Sequence, residues 1–148
     1  MSQSAKQIVE EFLRVIMIPD PVGARAFVAA DLRIRFTGAR EMRDPAECSA
    51  FNASRYKWVK KRFEQTDVVV AEPDANGSIS SSNDAATIVY NIGTLYGEWL
   101  DGTPFEGNRY VDRYVVRGGK IVQMDVWNDS AEHLLQRAGL CEPWLLAR

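Results

Sequence analysis

The stretch EGNRYVDRYVVRGGKIVQMDVWND, residues 106–129, predicts two β-strands joined by a tight turn at Gly118-Gly119. On both sides of the turn the chain is rich in β-branched and aromatic residues, which is typical of strands. A second hairpin is predicted just before this one. Its strands are residues 86–100 and 105–117, and Asp101-Gly102 between them is a dipeptide that favours a two-residue β-turn. The pattern therefore predicts an antiparallel meander in the second half of the chain.

The first half of the chain is predicted to be mainly helical. Helical spacing of apolar residues predicts a helix over 4–17 and a shorter one over 21–29. Asp44 followed by proline is a typical helix start, and the predicted long helix runs from there to about Phe63. Strands are predicted at 32–36 and 68–71, with an exposed loop over 73–84. The whole chain, residues 1–148, is thus expected to form one α+β domain with an antiparallel sheet.

Composition excludes several classes of function. The 148 residues carry a net charge of −2 with both signs interspersed. No concentration of positive charge is therefore present that could bind the phosphates of nucleic acid or a membrane surface. No apolar run approaches a membrane span, and the amino-terminal segment lacks a signal-peptide pattern, so we expect a cytoplasmic protein. With His133 as the only histidine, no zinc site of usual spacing can be written. No phosphate-binding glycine loop is present, and we expect no cofactor.

The closing hairpin resembles that of the nuclear transport factor 2-like (NTF2-like) superfamily, in particular its SnoaL-like, polyketide cyclase-like group. The resemblance rests on Asn108-Arg109-Tyr110, on the turn Gly119-Lys120-Ile121 and on the strand that ends in Asp129. It implies a curved sheet that forms a cone-like barrel around a pocket, covered by the N-terminal helices and one long helix, and frequently a homodimer. The superfamily includes steroid isomerases, polyketide cyclases, epoxide hydrolases, dehydratases and non-catalytic binding domains, so the fold alone does not determine an activity.

Strand alternation, oriented by this resemblance, predicts which side chains face the cone. Asn108, Asp112 and Tyr114 should point inward on one strand, with Arg109 and Arg113 pointing outward. The residues expected to line the pocket are Phe12, Ile16, Leu32, Ile34, Phe36, Asn52, Tyr56, Val59, Val89, Leu95, Asn108, Tyr114, Met124, Val126 and Asn128. The expected ligand is a small apolar or aromatic molecule.

Asp112 is the candidate catalytic acid or base, because a carboxylate on an apolar wall must shift its pKa or find hydrogen bonds. Tyr110 and Asn91 are the candidate donors that would stabilise an enolate oxygen beside it. The structural alternative is that Asp112 only pairs with an arginine of a covering helix, such as Arg14 or Arg55. Several catalytic relatives carry an acid on the last strand where this chain has Val126, which weakens the catalytic interpretation.

Two functions remain open at this point. One is a cofactor-independent acid-base enzyme, an isomerase, cyclase or dehydratase, that acts on a small hydrophobic carbonyl compound. The other is a non-catalytic ligand-binding or accessory dimerisation domain. The outward face of the predicted sheet is unusually apolar and aromatic, which predicts a homodimer through this face. Its main residues are Tyr90, Ile92, Tyr96, Val111, Val115 and Trp127.

Overall fold

The computed structural model describes residues 3–70 and 85–141. The predicted loop over 73–84 lies outside the described residues. Four α-helices are present in the described part: α1 (Ala5–Ile16), α2 (Pro21–Ala24), α3 (Pro45–Ala53) and α4 (Ser130–Arg137). The same part contains six strands, numbered in chain order: β1 (Val28–Arg35), β2 (Glu41–Met42), β3 (Tyr56–Val70), β4 (Thr87–Trp99), β5 (Pro104–Arg117) and β6 (Lys120–Asn128). No helix of this part is long and apolar enough to cross a lipid bilayer.

The six strands form one open sheet in the order β2-β1-β6-β5-β4-β3. The predicted meander is confirmed, because β4, β5 and β6 pair antiparallel through the two predicted turns. The sheet is mixed and does not close into a barrel: β1 runs parallel to β6, with Ile34 beside Met124. The predicted α+β class is confirmed. The sheet was predicted to be antiparallel, and it is mixed because of the one parallel pair, β1 and β6. Parallel pairing follows from β1 entering the sheet from the helical half of the chain, far from β6 in sequence.

The predicted long helix over residues 44–63 is wrong in its second half. Asp44 caps α3 as expected, accepting a hydrogen bond from the Ala46 amide at 2.8 Å. The helix nevertheless ends at Ala53, and Tyr56–Val70 is a strand that pairs with β4 along its length. Pairing with a neighbouring strand outweighs the helical propensity of this lysine-rich segment, which local spacing alone could not reveal.

Two N-terminal boundaries also differ from the prediction. The second helix ends at Ala24 and continues only as a 3₁₀ turn, Arg25–Phe27, rather than reaching residue 29. The strand predicted over 32–36 begins earlier, at Val28, and ends at Arg35. Both shifts lengthen β1, which gives it enough residues to pair with β6.

Helix α1 fills the inner side of the sheet. Its Ser4 cap and the Gln7 side chain form a reciprocal capping box, and its apolar stripe is buried. Phe12 meets the Tyr114 ring edge-on, with 6.2 Å between the ring centres. The core cluster therefore occupies the end of the cone beneath α1. In the part of the chain that the structure describes, a cavity remains near α3 and the start of β3.

Candidate functional site

The inner face of β5 carries a row of buried polar side chains. Asn108, Tyr110, Asp112 and Tyr114 are all buried, whereas Arg109 between them is exposed. On β4 the neighbouring Asn91 is fully buried as well. This alternation is the one that the sequence predicts, so the predicted catalytic trio of Asp112, Tyr110 and Asn91 lies on one wall.

Asp112 forms a buried ion pair with Lys61 of β3. The Lys61 ammonium contacts Asp112 Oδ2, and the Tyr114 hydroxyl donates a hydrogen bond to the same oxygen at 3.1 Å. Asp112 is fully buried, and 15% of the Lys61 side chain is exposed. The other oxygen, Asp112 Oδ1, is buried and has no hydrogen-bond partner among the described residues.

Neither arginine proposed as a structural partner for Asp112 takes that role. The Arg14 guanidinium lies 5.6 Å from the centre of the Phe63 ring, and the Arg55 guanidinium lies 4.8 Å from the centre of the Phe51 ring. Both stack on aromatic rings, which suits a planar cation. The partner of Asp112 is a lysine on a strand and not an arginine on a covering helix.

Lys61 is the functional candidate that sequence reasoning missed. A helical reading of residues 57–62 makes this lysine part of a solvated face. As a strand, β3 turns Val59, Lys61 and Phe63 inward and exposes Lys60 and Arg62. The one signal in the sequence is that Val59 and Phe63 are an even number of positions apart, so that a strand with both turned inward also turns Lys61 inward.

Burial controls the protonation of Lys61. Loss of water lowers the pKa of its ammonium to about 7, because the charged form is poorly solvated. The adjacent Asp112 carboxylate acts in the opposite direction by favouring the ammonium. The Nζ atom also lies 4.3 Å from the centre of the Tyr110 ring. A lysine whose pKa is near neutrality can both give and accept a proton, which acid-base chemistry requires.

A hydrogen-bond chain leads from Tyr110 to the edge of the molecule. The Tyr110 hydroxyl donates to Asn91 Oδ1 at 2.6 Å, and Asn91 Nδ2 donates to the Thr66 hydroxyl at 3.0 Å. Thr66 in turn donates to Glu10 Oε2 at 3.2 Å. Burial raises the pKa of the Tyr110 hydroxyl, which therefore stays protonated at neutral pH. Tyr110 is held as a hydrogen-bond donor, and Asn91 orients it.

A second buried network connects the sheet to α4. The Tyr56 hydroxyl donates to Ser130 Oγ at 2.5 Å, and Asn108 Nδ2 donates to the same oxygen at 3.1 Å. The Ser130 amide donates to Asn128 Oδ1 at 3.0 Å. Ser130 was not among the sequence candidates. It joins three predicted pocket residues to the first turn of α4 and gives their polar groups partners.

A cavity opens beside the Lys61–Asp112 pair. Its innermost space is about 60 Å³, and a wider mouth of about 410 Å³ adjoins it. Lys61 and Tyr110 line the inner space, whereas Asp112 lies behind Lys61 and is not part of the lining. Nine predicted residues line this inner space: Ile16, Phe36, Asn52, Tyr56, Val59, Leu95, Tyr110, Val126 and Asn128.

The other predicted lining residues do not reach this cavity. Phe12, Leu32, Ile34, Val89, Tyr114 and Met124 belong to the packed core. Asn108 is buried in the Ser130 network instead. The reason is that α1 packs into the narrow end of the cone and fills it with apolar side chains. In the described residues, no group of three or more metal-ligating side chains comes together.

The fold has many counterparts among solved structures. An NTF2-like protein of unknown function from Burkholderia pseudomallei matches with a TM-score of 0.64 and 16% identity, over 88% of this chain and 93% of that one. A putative ketosteroid isomerase from Shewanella frigidimarina matches with a TM-score of 0.60 and 18% identity, over 84% and 96%. A putative polyketide cyclase from Pseudomonas putida matches with a TM-score of 0.56 and 14% identity, over 85% and 92%.

Sequence comparison alone finds no such relatives. No protein-family model matches the chain, and no curated protein matches it. At identities below 20% the structural matches establish the fold and leave the activity open. The resemblance seen in the closing hairpin is therefore confirmed as a shared architecture, and the chain has the NTF2-like α+β fold found in SnoaL-like polyketide cyclases and ketosteroid isomerase-like proteins.

Proposed function

We propose that this protein is a cofactor-independent acid-base enzyme of the isomerase, cyclase or dehydratase type. Its substrate is a small hydrophobic carbonyl compound that enters the cavity next to Lys61. The observation that carries the proposal is the buried Lys61–Asp112 pair, which stands at the inner end of an otherwise largely apolar cavity. Structural matches described as a putative ketosteroid isomerase and a putative polyketide cyclase support the same reaction class.

Each polar group has a role in such a reaction. The pair accepts the proton from the carbon beside the carbonyl, with Lys61 nearest the substrate and Asp112 behind it. Tyr110 lines the cavity and supplies a hydroxyl that can donate to the developing enolate oxygen. To do so it must exchange its present acceptor, Asn91 Oδ1, for the substrate oxygen. The apolar walls exclude water, which strengthens both interactions.

The second candidate function is a non-catalytic ligand-binding or accessory domain. Two observations favour it. Tyr110 already has an internal acceptor in Asn91, and the last strand presents Val126 and Asn128 to the cavity rather than an acid. In this case the cavity binds the same small apolar or aromatic molecule, and the Lys61–Asp112 pair only neutralises two buried charges.

The experiment that separates the two functions is exchange of carbonyl α-protons for deuterium. The protein is incubated in D₂O with cyclohexanone or acetophenone, and loss of the α-proton signal is followed by NMR. We expect exchange above the buffer rate for the wild type, and a loss of about 10²- to 10⁴-fold in Asp112→Asn, the usual contribution of general acid-base catalysis.

The matched control is Asp67→Asn, since Asp67 is an exposed carboxylate on the same strand as Lys61. This variant should exchange protons at the wild-type rate. Ligand-observed NMR on the same samples reports binding. Ketones that bind without exchange would support the binding-domain function, and ketones that neither bind nor exchange would contradict both functions.

We also propose that the protein forms a homodimer through the outer face of the sheet. Trp127 is 52% exposed there, and Ile92 and Val111 next to it are only half-buried. These side chains border a shallow hollow of about 320 Å³. Val115, which the sequence analysis placed on this face, is already buried within the chain and contributes little to it. An apolar surface of this kind is commonly covered by a partner.

A further inference from the structure

Lys61 differs from the other lysines of the chain in its surroundings. Lys6, Lys57, Lys60 and Lys120 are exposed, whereas only 15% of the Lys61 side chain is accessible. Lys61 is also one of the residues that line the inner space of the cavity, next to any molecule bound there. A lysine is rarely buried unless it is paired, and a buried lysine beside an open cavity is unusual for a purely structural residue.

The groups that face the amine are suited to keeping it reactive. Asp112, Tyr110 and Tyr114 approach it from β5, and Cys48 faces it from α3. Burial lowers the pKa of Lys61 to about 7, which makes transfer of its proton to the neighbouring Asp112 carboxylate easier. A neutral lysine amine in an apolar pocket is a nucleophile toward carbonyl carbons.

Resting on the carbonyl specificity of the proposed function, we propose that Lys61 Nζ forms a covalent imine with a small aldehyde or ketone bound in the cavity. The substrate class is thereby narrowed to unhindered carbonyl compounds, and Lys61 becomes the nucleophile as well as a member of the proton-transfer pair. The two observations behind this are the place of Lys61 in the lining of the inner cavity and the buried Asp112 Oδ1, which has no partner in the described residues.

The step balances with the groups present. The Lys61 ammonium first passes its proton to the Asp112 carboxylate that it contacts. The freed nitrogen lone pair attacks the carbonyl carbon, a C–N bond forms, and one nitrogen proton moves to the former carbonyl oxygen to give a carbinolamine. The C–O bond then breaks as Asp112 returns its proton to the leaving oxygen. The products are one water and an iminium ion paired with the Asp112 carboxylate.

The iminium makes chemistry at the neighbouring carbon easier than the parent carbonyl does. Its positive nitrogen accepts the electron pair that is left when an α-proton departs, and the Asp112 carboxylate stands next to that charge. Isomerisation and carbon–carbon bond formation through an enamine thus require no acid on the last strand, where this chain has Val126.

Reductive trapping tests the imine directly. The wild-type protein is mixed at pH 7 with cyclohexanone or acetophenone and treated with a short pulse of sodium borohydride, and tryptic peptides are mapped by mass spectrometry. We expect a stable secondary amine on Lys61 in at least tenfold excess over each of the four exposed lysines. Equal labelling of all five lysines, or no label on Lys61, would overturn the proposal.

Two variants and the exchange assay complete the test. Lys61→Arg should abolish the adduct, because a guanidinium is a far poorer nucleophile, whereas Lys6→Arg, at an exposed position of α1 that does not line the cavity, should leave it unchanged. Trapping on the wild type does not depend on the folding of either variant. If α-proton exchange occurs without trapping, the imine is refuted and the acid-base function stands. If exchange and ketone binding are both absent, the proposed function itself has failed.

Discussion

Lys61 and Asp112 illustrate how a buried charge depends on a single partner. Transfer of either charged group from water into the core is costly, and their mutual attraction offsets that cost only while both are present. Tyr114 adds one hydrogen bond to the carboxylate, and Asp112 Oδ1 has none from the described residues. Loss of either partner should therefore leave an uncompensated charge in the core.

A double-mutant cycle measures this dependence. Lys61→Met leaves the Asp112 carboxyl buried without its cation, and we expect the free energy of unfolding to fall by about 3–5 kcal/mol. Adding Asp112→Asn removes the uncompensated group and keeps an acceptor for Tyr114, so the double variant should be more stable than Lys61→Met alone. Urea denaturation followed by circular dichroism gives all four values.

The exposed pair Arg33–Glu41 is the matched control for this cycle. Its charges remain in water, so Arg33→Met and Glu41→Gln should show almost no coupling. Additive effects of Lys61→Met and Asp112→Asn would contradict the view that the two buried groups depend on each other.

At the scale of elements, β3 is shaped by its two irregularities. Register shifts occur between Tyr56 and Trp58 and between Phe63 and Gln65, and they bend the strand around the cavity. Opposite the second shift, Gly93 of β4 lies very close to the neighbouring backbone. A Cβ atom at this position would lie 2.0 Å from the Arg62 carbonyl oxygen and 3.0 Å from the Tyr110 hydroxyl.

Gly93→Ala should therefore be destabilising although it adds only a methyl group. The backbone of β3 has to move away, and such overpacking typically costs about 1–3 kcal/mol. Thermal and urea unfolding measure the change. The Tyr110 hydroxyl should also be displaced, which weakens its hydrogen bond to Asn91.

Thr94→Ala, at the next residue of the same strand, is the control for this effect. Thr94 points to the outer face and is half-buried, so its truncation should change stability by less than about 0.5 kcal/mol. If Gly93→Ala is as mild as Thr94→Ala, the close approach of β3 and β4 does not constrain the site.

For the molecule as a whole, the two faces of the sheet differ in what covers them. The inner face is covered by α1 and the core. The outer face carries Trp127 and half-buried neighbours without any helix of the described residues packed over them. Along β3 and β4 the aromatic surface continues, where the Trp58 and Tyr96 rings meet edge-on at 5.8 Å between centres.

We expect sedimentation velocity to show a dimer at micromolar concentration, and Trp127→Arg to convert it to a monomer. The charge would be buried in an apolar interface without a partner, which is strongly unfavourable. Leu100→Arg is the control, since Leu100 is 60% exposed at the β4–β5 turn, away from the outer face. A wild type that sediments as a monomer would refute the dimer.

The C-terminal meander could be predicted from sequence because its determinants are local. Alternation along β5 depends only on neighbouring residues, and the turns at Asp101-Gly102 and Gly118-Gly119 supply the backbone conformations that the hairpins need. That alternation puts Tyr110 and Asp112 on one face, and the resemblance of the closing hairpin to the NTF2-like superfamily indicated that this face points inward. For the same reason Asn91, Asp112 and Tyr110 could be named as neighbours before the structure was known.

The groups packed against Asn91, Tyr110 and Asp112 were decided by contacts between distant parts of the chain. Residues 56–63 have spacing compatible with a helix, and only pairing with β4 makes them a strand that turns Lys61 inward. Asp112 and Lys61 are 51 positions apart, so no local pattern could join them. Likewise, β1 lies beside β6 only in the folded sheet, and the packing of α1 determines how much of the cone is left open. Sequence alone determined the strands of the C-terminal meander, whereas tertiary structure decided the partner of the buried acid and the size of the cavity, because both depend on long-range packing.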